Sequence, residues 1–146
     1  MQSKTPTPDV SVIVVSWNVS SLLSDCLRAL HSPEVRQDIK LEVIVVDNAS
    51  TDDSVGVAKL FSTTVIENSA NLGYGRANNI GLAQAAGKHI LVLNPDTVPQ
   101  PGSVRALLDF VDAKPKAGIA SPRLLNPDGT TQSAAFTYPT LLMAAL

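Results

Sequence analysis

The chain is poor in what a disulfide scaffold, a nucleic-acid binder or a membrane span requires. A single cysteine, Cys26, in 146 residues excludes an internal disulfide framework and suits a reducing compartment. It falls on the apolar side of a helical stretch with Leu22, Leu23, Leu27 and Leu30, where it reads as a small core residue. Charged residues make up 16%, against roughly 25% in an average domain. The formal net charge of -2 supplies no basic field that would attract nucleic acid or an anionic surface. No run is long enough for a bilayer, because the first apolar stretch, Val10 to Val15, is far below the roughly 20 residues needed. Met1 to Pro8 is polar and proline-containing, unlike a secretory signal. These absences predict a cytoplasmic chain, with peripheral placement at the inner face of a membrane as the further option.

What is present is apolar and ordered. At 45% hydrophobic residues the chain can build one domain with a substantial core, and it is too short for two ordinary domains. Strand and helix signals alternate. Val10 to Ser16 and Leu41 to Val46 are β-branched and nearly continuous in apolar residues, the pattern of strands buried on both faces. Between them, Ser20 and Ser21 offer caps for a helix that stops before Pro33. Asn48 to Asp53 supplies turn and capping groups for a helix presenting Val55, Ala58 and Phe61.

Thr63 to Ile66 predicts a short strand, about Gly75 to Ala86 a helix ended by Gly87, and His89 to Leu93 a fourth strand. A further helix carries Val104, Leu107, Leu108 and Val111; Ala117 to Ser121 predicts another strand, and Asn126-Pro127-Asp128-Gly129 the turn of a C-terminal hairpin. The fold class expected is α/β: a doubly wound, mostly parallel sheet with helices on both faces. Tyr138 to Leu146 stops inside an apolar run, as a truncated or docking segment would.

The residues able to carry chemistry sit where strands end. Asp47 closes the second strand and Asp96 follows the fourth through Asn94 and Pro95. Carboxyl ends of strands in an open sheet are where such folds bind ligands. Asp47 with Asn48 reads as an acceptor for the base or ribose of a nucleotide, or as a turn acid. Asp96 reads as a ligand for Mg²⁺ or Mn²⁺ shared with substrate phosphates, or as a cap for the turn before Pro99. Ser16, Trp17 and Asn18 close the first strand and could line a base pocket; Trp17 is equally a rim or core aromatic.

Asn71 to Gly81 combines glycines with a helix start, and Arg76 is its one cation for a phosphate; solvated asparagines are the plainer alternative. Gly73-Tyr74-Gly75 lacks the third glycine of a dinucleotide fingerprint and belongs to the wrong strand–helix connection. His31 and His89 read as structural. A sugar-nucleotide pyrophosphorylase would need a basic, glycine-rich first loop, and a phospho-acceptor receiver would need paired acids there; Ser16 to Ser20 is neither.

Taken in order, Val10 to Asn18, Val45 to Asp52, Asn71 to Gly81 and Leu93 to Asp96 resemble the N-terminal half of family 2 glycosyltransferases, most of all the rhamnosyltransferase-like branch. The resemblance spans about Val10 to Ser133, and four motifs in order make it specific. It implies a GT-A fold and inverting transfer of a sugar from a nucleotide-diphosphate sugar, dTDP- or UDP-linked, to a hydroxyl on a glycan or lipid-linked acceptor. It implies that Ser16, Trp17, Asn18, Asp47 and Asn48 hold the nucleotide, that Arg76, Asn79, Asn94 and Asp96 face the donor sugar or phosphates, and that Asp96 binds Mg²⁺ or Mn²⁺. Asn94 stands where the family's metal signature usually has its first acid.

The family's acceptor carboxylate lies in a later half, and Asp109, Asp112 and Asp128 do not substitute for it. The expected partition is a flexible lead-in over 1–8, a nucleotide-sugar-binding domain over 9–137, and a truncated or docking segment over 138–146. A missing C-terminal half or a second copy would complete the enzyme. The competing reading is a non-catalytic nucleotide-sugar binding module.

Overall fold

The computed structural model describes residues 7–132. Contacts divide the chain into two units, Met1–Ala106 and Leu107–Leu146. In the first unit, four parallel strands, β1 (Val10–Ser16), β2 (Leu41–Asp47), β3 (Thr64–Glu67) and β4 (His89–Leu93), form a sheet in the order β3-β2-β1-β4. The helices are α1 (Ser20–Leu30), α2 (Pro33–Arg36), α3 (Ser54–Lys59), α4 (Tyr74–Gln84) and α5 (Ser103–Ala113). β1 is paired on both sides, Val10 with Leu41 and His89, and Ser16 with Asp47. All seven of its residues are buried, in keeping with its nearly continuous apolar pattern.

Right-handed crossovers fix which face each helix covers. The chain steps one way from β1 to β3, placing α1 and α3 on one face, and returns to β4 through α4 on the other. Strand alternation then sorts the core. Ile13, Val15, Ile44 and Val46 meet Ala77 of α4, with Ile66 and Ile80 at the margin. The opposite face is covered by Leu23, Cys26, Leu27 and Leu30, all fully buried on α1.

Gly81 lets α4 lie flat on the sheet, since a Cβ there would sit 2.6 Å from Cγ2 of Ile13. Gly81→Ala is therefore expected to destabilise the fold by about 1–3 kcal/mol, as forced overpacking does, measurable by urea denaturation. Burial pushes the Cys26 thiol up to about 12, with the charge of Asp96 adding to the effect. The native thiol should accordingly resist alkylation at pH 8 and react once the chain is unfolded; rapid labelling of the folded protein would contradict this burial.

Several local expectations are corrected. The cap of α1 is not Ser20 or Ser21: Val19 holds the cap position with no side-chain bond, and the Ser20 N–H donates to Asp52 Oδ2 at 2.9 Å instead. Gly87 is not the C′ residue of α4, which ends at an extended Ala85. Its role is close approach, because a Cβ would lie 2.4 Å from the Ser11 nitrogen. Phe61 lies beyond α3 and packs against the His31 ring at 5.4 Å. Helix α2 was hidden in what reads as a break; Ser32 caps it and Pro33 opens it.

In the second unit, Ala117 to Ser121 is not a strand: no ladder forms there and Ile119 is 93% exposed. The expected hairpin is reduced to one antiparallel bridge, Leu125 with Thr131, closed by a turn in which the Gly129 N–H donates to the Asn126 carbonyl. The segment 138–146 lies outside the described residues.

Candidate functional site

The direction of chain progression reverses between β1 and β4, and an open α/β sheet binds its ligands in the crevice outside the carboxyl ends at such a point. The residues just past those two ends are Trp17 and Asn18 on one side, Asn94 and Asp96 on the other. Asp47 ends the neighbouring strand, in register with Ser16.

The first group forms one hydrogen-bonded assembly. The Asp47 carboxylate, almost fully buried, accepts from the Ser50 N–H at 2.8 Å and from the Ser50 hydroxyl at 2.6 Å. Ser50 Oγ in turn accepts from the Asn18 N–H at 2.9 Å. Asn18 Oδ1 accepts from the Thr51 N–H at 2.7 Å, so each loop holds the other. Asn48 is buried, and its Oδ1 accepts from Asn68 Nδ2 at 2.9 Å.

Two non-glycine residues here are left-handed, Asn18 at φ 53 and Ala49 at φ 62. Such conformations cost about 1 kcal/mol each and collect where a loop is shaped for a ligand. Trp17 is 54% exposed, so its ring is a rim surface rather than core. Ser16 is fully buried, and its hydroxyl has no hydrogen-bond partner among the described residues.

Asp52 anchors the same loops. Hydrogen bonds from the Ser54 hydroxyl first, then from the Ser20 N–H, hold its carboxyl down at about 2. A depressed carboxylate stabilises above its unfolded value of 3.8, and that contribution disappears as pH falls toward 2. The Asp52 carboxyl resonance should titrate near pH 2, and Asp52→Asn should remove this part of the acid sensitivity. A midpoint near 4 would contradict the cap.

On the β4 side the chain turns at Asn94-Pro95-Asp96-Thr97, closed by the Thr97 N–H donating to the Asn94 carbonyl at 3.1 Å. Proline suits the second position of such a turn and asparagine the first. Asp96 therefore has its turn role, and it also keeps its carboxylate exposed, with no hydrogen bond or ion pair among the described residues. Cys26 Sγ lies 3.9 Å from the Asn94 carbonyl, which seats the turn on α1.

Arg76 and Asn79 are exposed on α4, three residues apart and so on one face. It is Tyr74, not Arg76, that the structure brings to the turn: its hydroxyl donates to Asn94 Oδ1 at 2.9 Å. Tyr74 was missed in the sequence; the signal was an aromatic residue with a polar tip between two glycines. Gly73, at φ 79 and ψ 160, holds a conformation open to glycine alone and leaves the first N–H groups of α4 without a side-chain cap.

No cluster of three or more His, Cys, Asp or Glu side chains able to cage a metal exists among the described residues. That rules out a zinc-type site built from these residues and suits a hard cation held by one carboxylate plus phosphate oxygens. Asp96, exposed and unpaired, fits that use. Asp52 is less suited, since its Oδ1 already accepts from the Ser54 N–H and hydroxyl and its Oδ2 from the Ser20 N–H.

Solved structures with the same architecture are GT-A glycosyltransferases. A mannosyltransferase from Pyrobaculum calidifontis in complex with GDP-Man and Mn²⁺ superposes with a TM-score of 0.65 at 27% identity, over 73% of this chain and 33% of that one. TarS 1–349 of S. aureus in complex with UDP-GlcNAc gives 0.62 at 26% identity, over 72% and 31%. Residues 11–138 match the profile of glycosyl transferase family 2. The chain belongs to that family. It is 33% identical to an N-acetylglucosaminyl-diphospho-decaprenol L-rhamnosyltransferase of Mycobacterium tuberculosis, over 96% of this chain and 49% of that protein. The chain thus spans about half the length of that relative. Among the described residues no helix is long and apolar enough to cross a membrane.

Proposed function

We propose that the chain is the donor-binding part of an inverting, metal-assisted glycosyltransferase of hexosyltransferase type. The observation that carries this is the exposed, unpaired Asp96 carboxylate beside the β1–β4 switch point, in a chain of this family. Ser16, Trp17, Asn18, Asp47 and Asn48 take the nucleoside: the Trp17 ring is an exposed flat surface, and Asp47 keeps acceptor capacity beyond its bonds to Ser50. Arg76, Asn79, Asn94 and the uncapped start of α4 face the phosphates and sugar.

A Mg²⁺ or Mn²⁺ ion on Asp96 would neutralise charge on the departing diphosphate. In the transfer, an acceptor hydroxyl oxygen bonds to the anomeric carbon as its bond to the diphosphate oxygen breaks. The hydroxyl proton goes to a base, and the nucleoside diphosphate leaves. That base belongs to the acceptor half of the enzyme, supplied by further chain or a second copy; the 49% share of the rhamnosyltransferase supports this division.

In this reading the lead-in is 1–8, the donor domain 9–137, and 138–146 the start of a truncated or docking segment. The name of the rhamnosyltransferase includes an N-acetylglucosaminyl-diphospho-decaprenol group, which supports a lipid-linked or glycan acceptor for a cytoplasmic chain that works at a membrane's inner face. The donor in this reading is dTDP- or UDP-linked; the UDP-GlcNAc complex of TarS supports a uridine nucleotide, while the Pyrobaculum mannosyltransferase holds GDP-Man.

Calorimetric titration with UDP, dTDP and GDP, and with their sugars, tests the reading. Binding that strengthens with Mn²⁺ supports it, and no binding to any of them contradicts it. Binding with no sugar transfer after the rest of the enzyme is supplied would favour a nucleotide-sugar binding module instead.

A further inference from the structure

Tyr74 is aromatic, half exposed and flanked by glycines, so packing does not account for it. Its carbonyl accepts from Asn78 Nδ2 at 2.9 Å, and the N–H of the preceding Gly73 donates to Asn71 Oδ1 at 2.9 Å. The hydroxyl then reaches from the start of α4 to Asn94, twenty positions along the chain, and donates to Oδ1 at 2.9 Å. An asparagine amide offers one oxygen acceptor and two N–H donors. With the oxygen taken by Tyr74, what Asn94 has left is its Nδ2 donors, which make no hydrogen bond among the described residues.

We infer that Tyr74 is a positioning residue that orients the Asn94 amide so that its N–H donors meet the diphosphate of the donor. This rests on the nucleotide-sugar reading above and adds to it a residue and an orientation. Diphosphate oxygens only accept, so an amide turned oxygen-first would repel them, whereas one turned nitrogen-first binds them without adding charge. The pairing thereby gives a chain with an amide at position 94 a diphosphate contact that leaves cation binding to Asp96 alone.

The test is a double-mutant cycle read by calorimetry, with UDP, dTDP and GDP in Mn²⁺ and with the matching nucleosides. Tyr74→Phe keeps the ring and removes the hydroxyl. It is expected to weaken diphosphate binding about five-fold, the equivalent of one neutral hydrogen bond. Nucleoside affinity and melting temperature should not move, which separates positioning from a merely structural role. Asn94→Ala should weaken binding at least as much, and the double variant no further than Asn94→Ala. Additive losses, or a Tyr74→Phe variant that binds like the wild type, overturn the inference while leaving the donor site standing. A wild type that binds no nucleoside diphosphate overturns both.

Discussion

Asp96→Ala is expected to lower affinity for a nucleoside-diphosphate sugar by about 10–100-fold in the presence of Mn²⁺, the scale on which metal sites respond to loss of supporting groups. In EDTA the variant and wild type should bind alike, because the lost interaction runs through the cation. Fold stability should hardly change. The carboxylate is exposed and bonded to nothing among the described residues, and the turn is closed by backbone atoms of Asn94 and Thr97. Equal loss with and without metal would assign Asp96 to direct contact rather than cation binding. No loss in either condition would remove it from the site.

Asp47→Ala should behave in the opposite way, with effects on both fold and binding. Its buried carboxylate satisfies the Ser50 N–H and hydroxyl, and Ser50 holds the Asn18 N–H. Removing it strands those donors at a cost of about 1–3 kcal/mol. For a unit of this size that corresponds to a melting temperature lower by roughly 4–8 °C per kcal/mol. Because the loop also carries the proposed nucleoside contacts, Asp47→Ala should weaken uridine or thymidine, which Asp96→Ala should not. Asp47→Asn keeps the shape and one oxygen acceptor and should recover most of the stability. Restored stability without restored nucleoside binding would separate the two roles; full recovery of both would show that the negative charge is dispensable.

Why these residues could be found in the chain, and Tyr74 could not, has a physical reason. The two central strands were legible because burial on both faces demands nearly continuous apolar runs, as in Val10 to Val15 and Val43 to Val46. Once the alternation fixed a parallel sheet, Asp47 and Asn94 to Asp96 had to lie at carboxyl ends. What failed depends on distant partners. The cap of α1 comes from Asp52 across more than thirty residues, so the nearby serines misled. Gly87 answers to Ser11 on β1, not to the helix it follows. Ala117 to Ser121 has strand composition, yet a strand exists only where a partner ladder does. Tyr74 and Asn94 are joined by a single bond between motifs that each made local sense alone.

The proposed function places a divalent cation and its nucleotide where β1 and β4 end. Mn²⁺ added to the isotope-labelled protein with UDP or dTDP should broaden amide signals at Trp17 and Asn18, at Tyr74 to Ala77 and at Asn94 to Thr97. Signals at the amino edge of the sheet, around Asp9, Lys40 and Lys88, should stay sharp. Broadening centred on Asp52 and Asp53, with Asn94 to Thr97 unaffected, would contradict the proposed site.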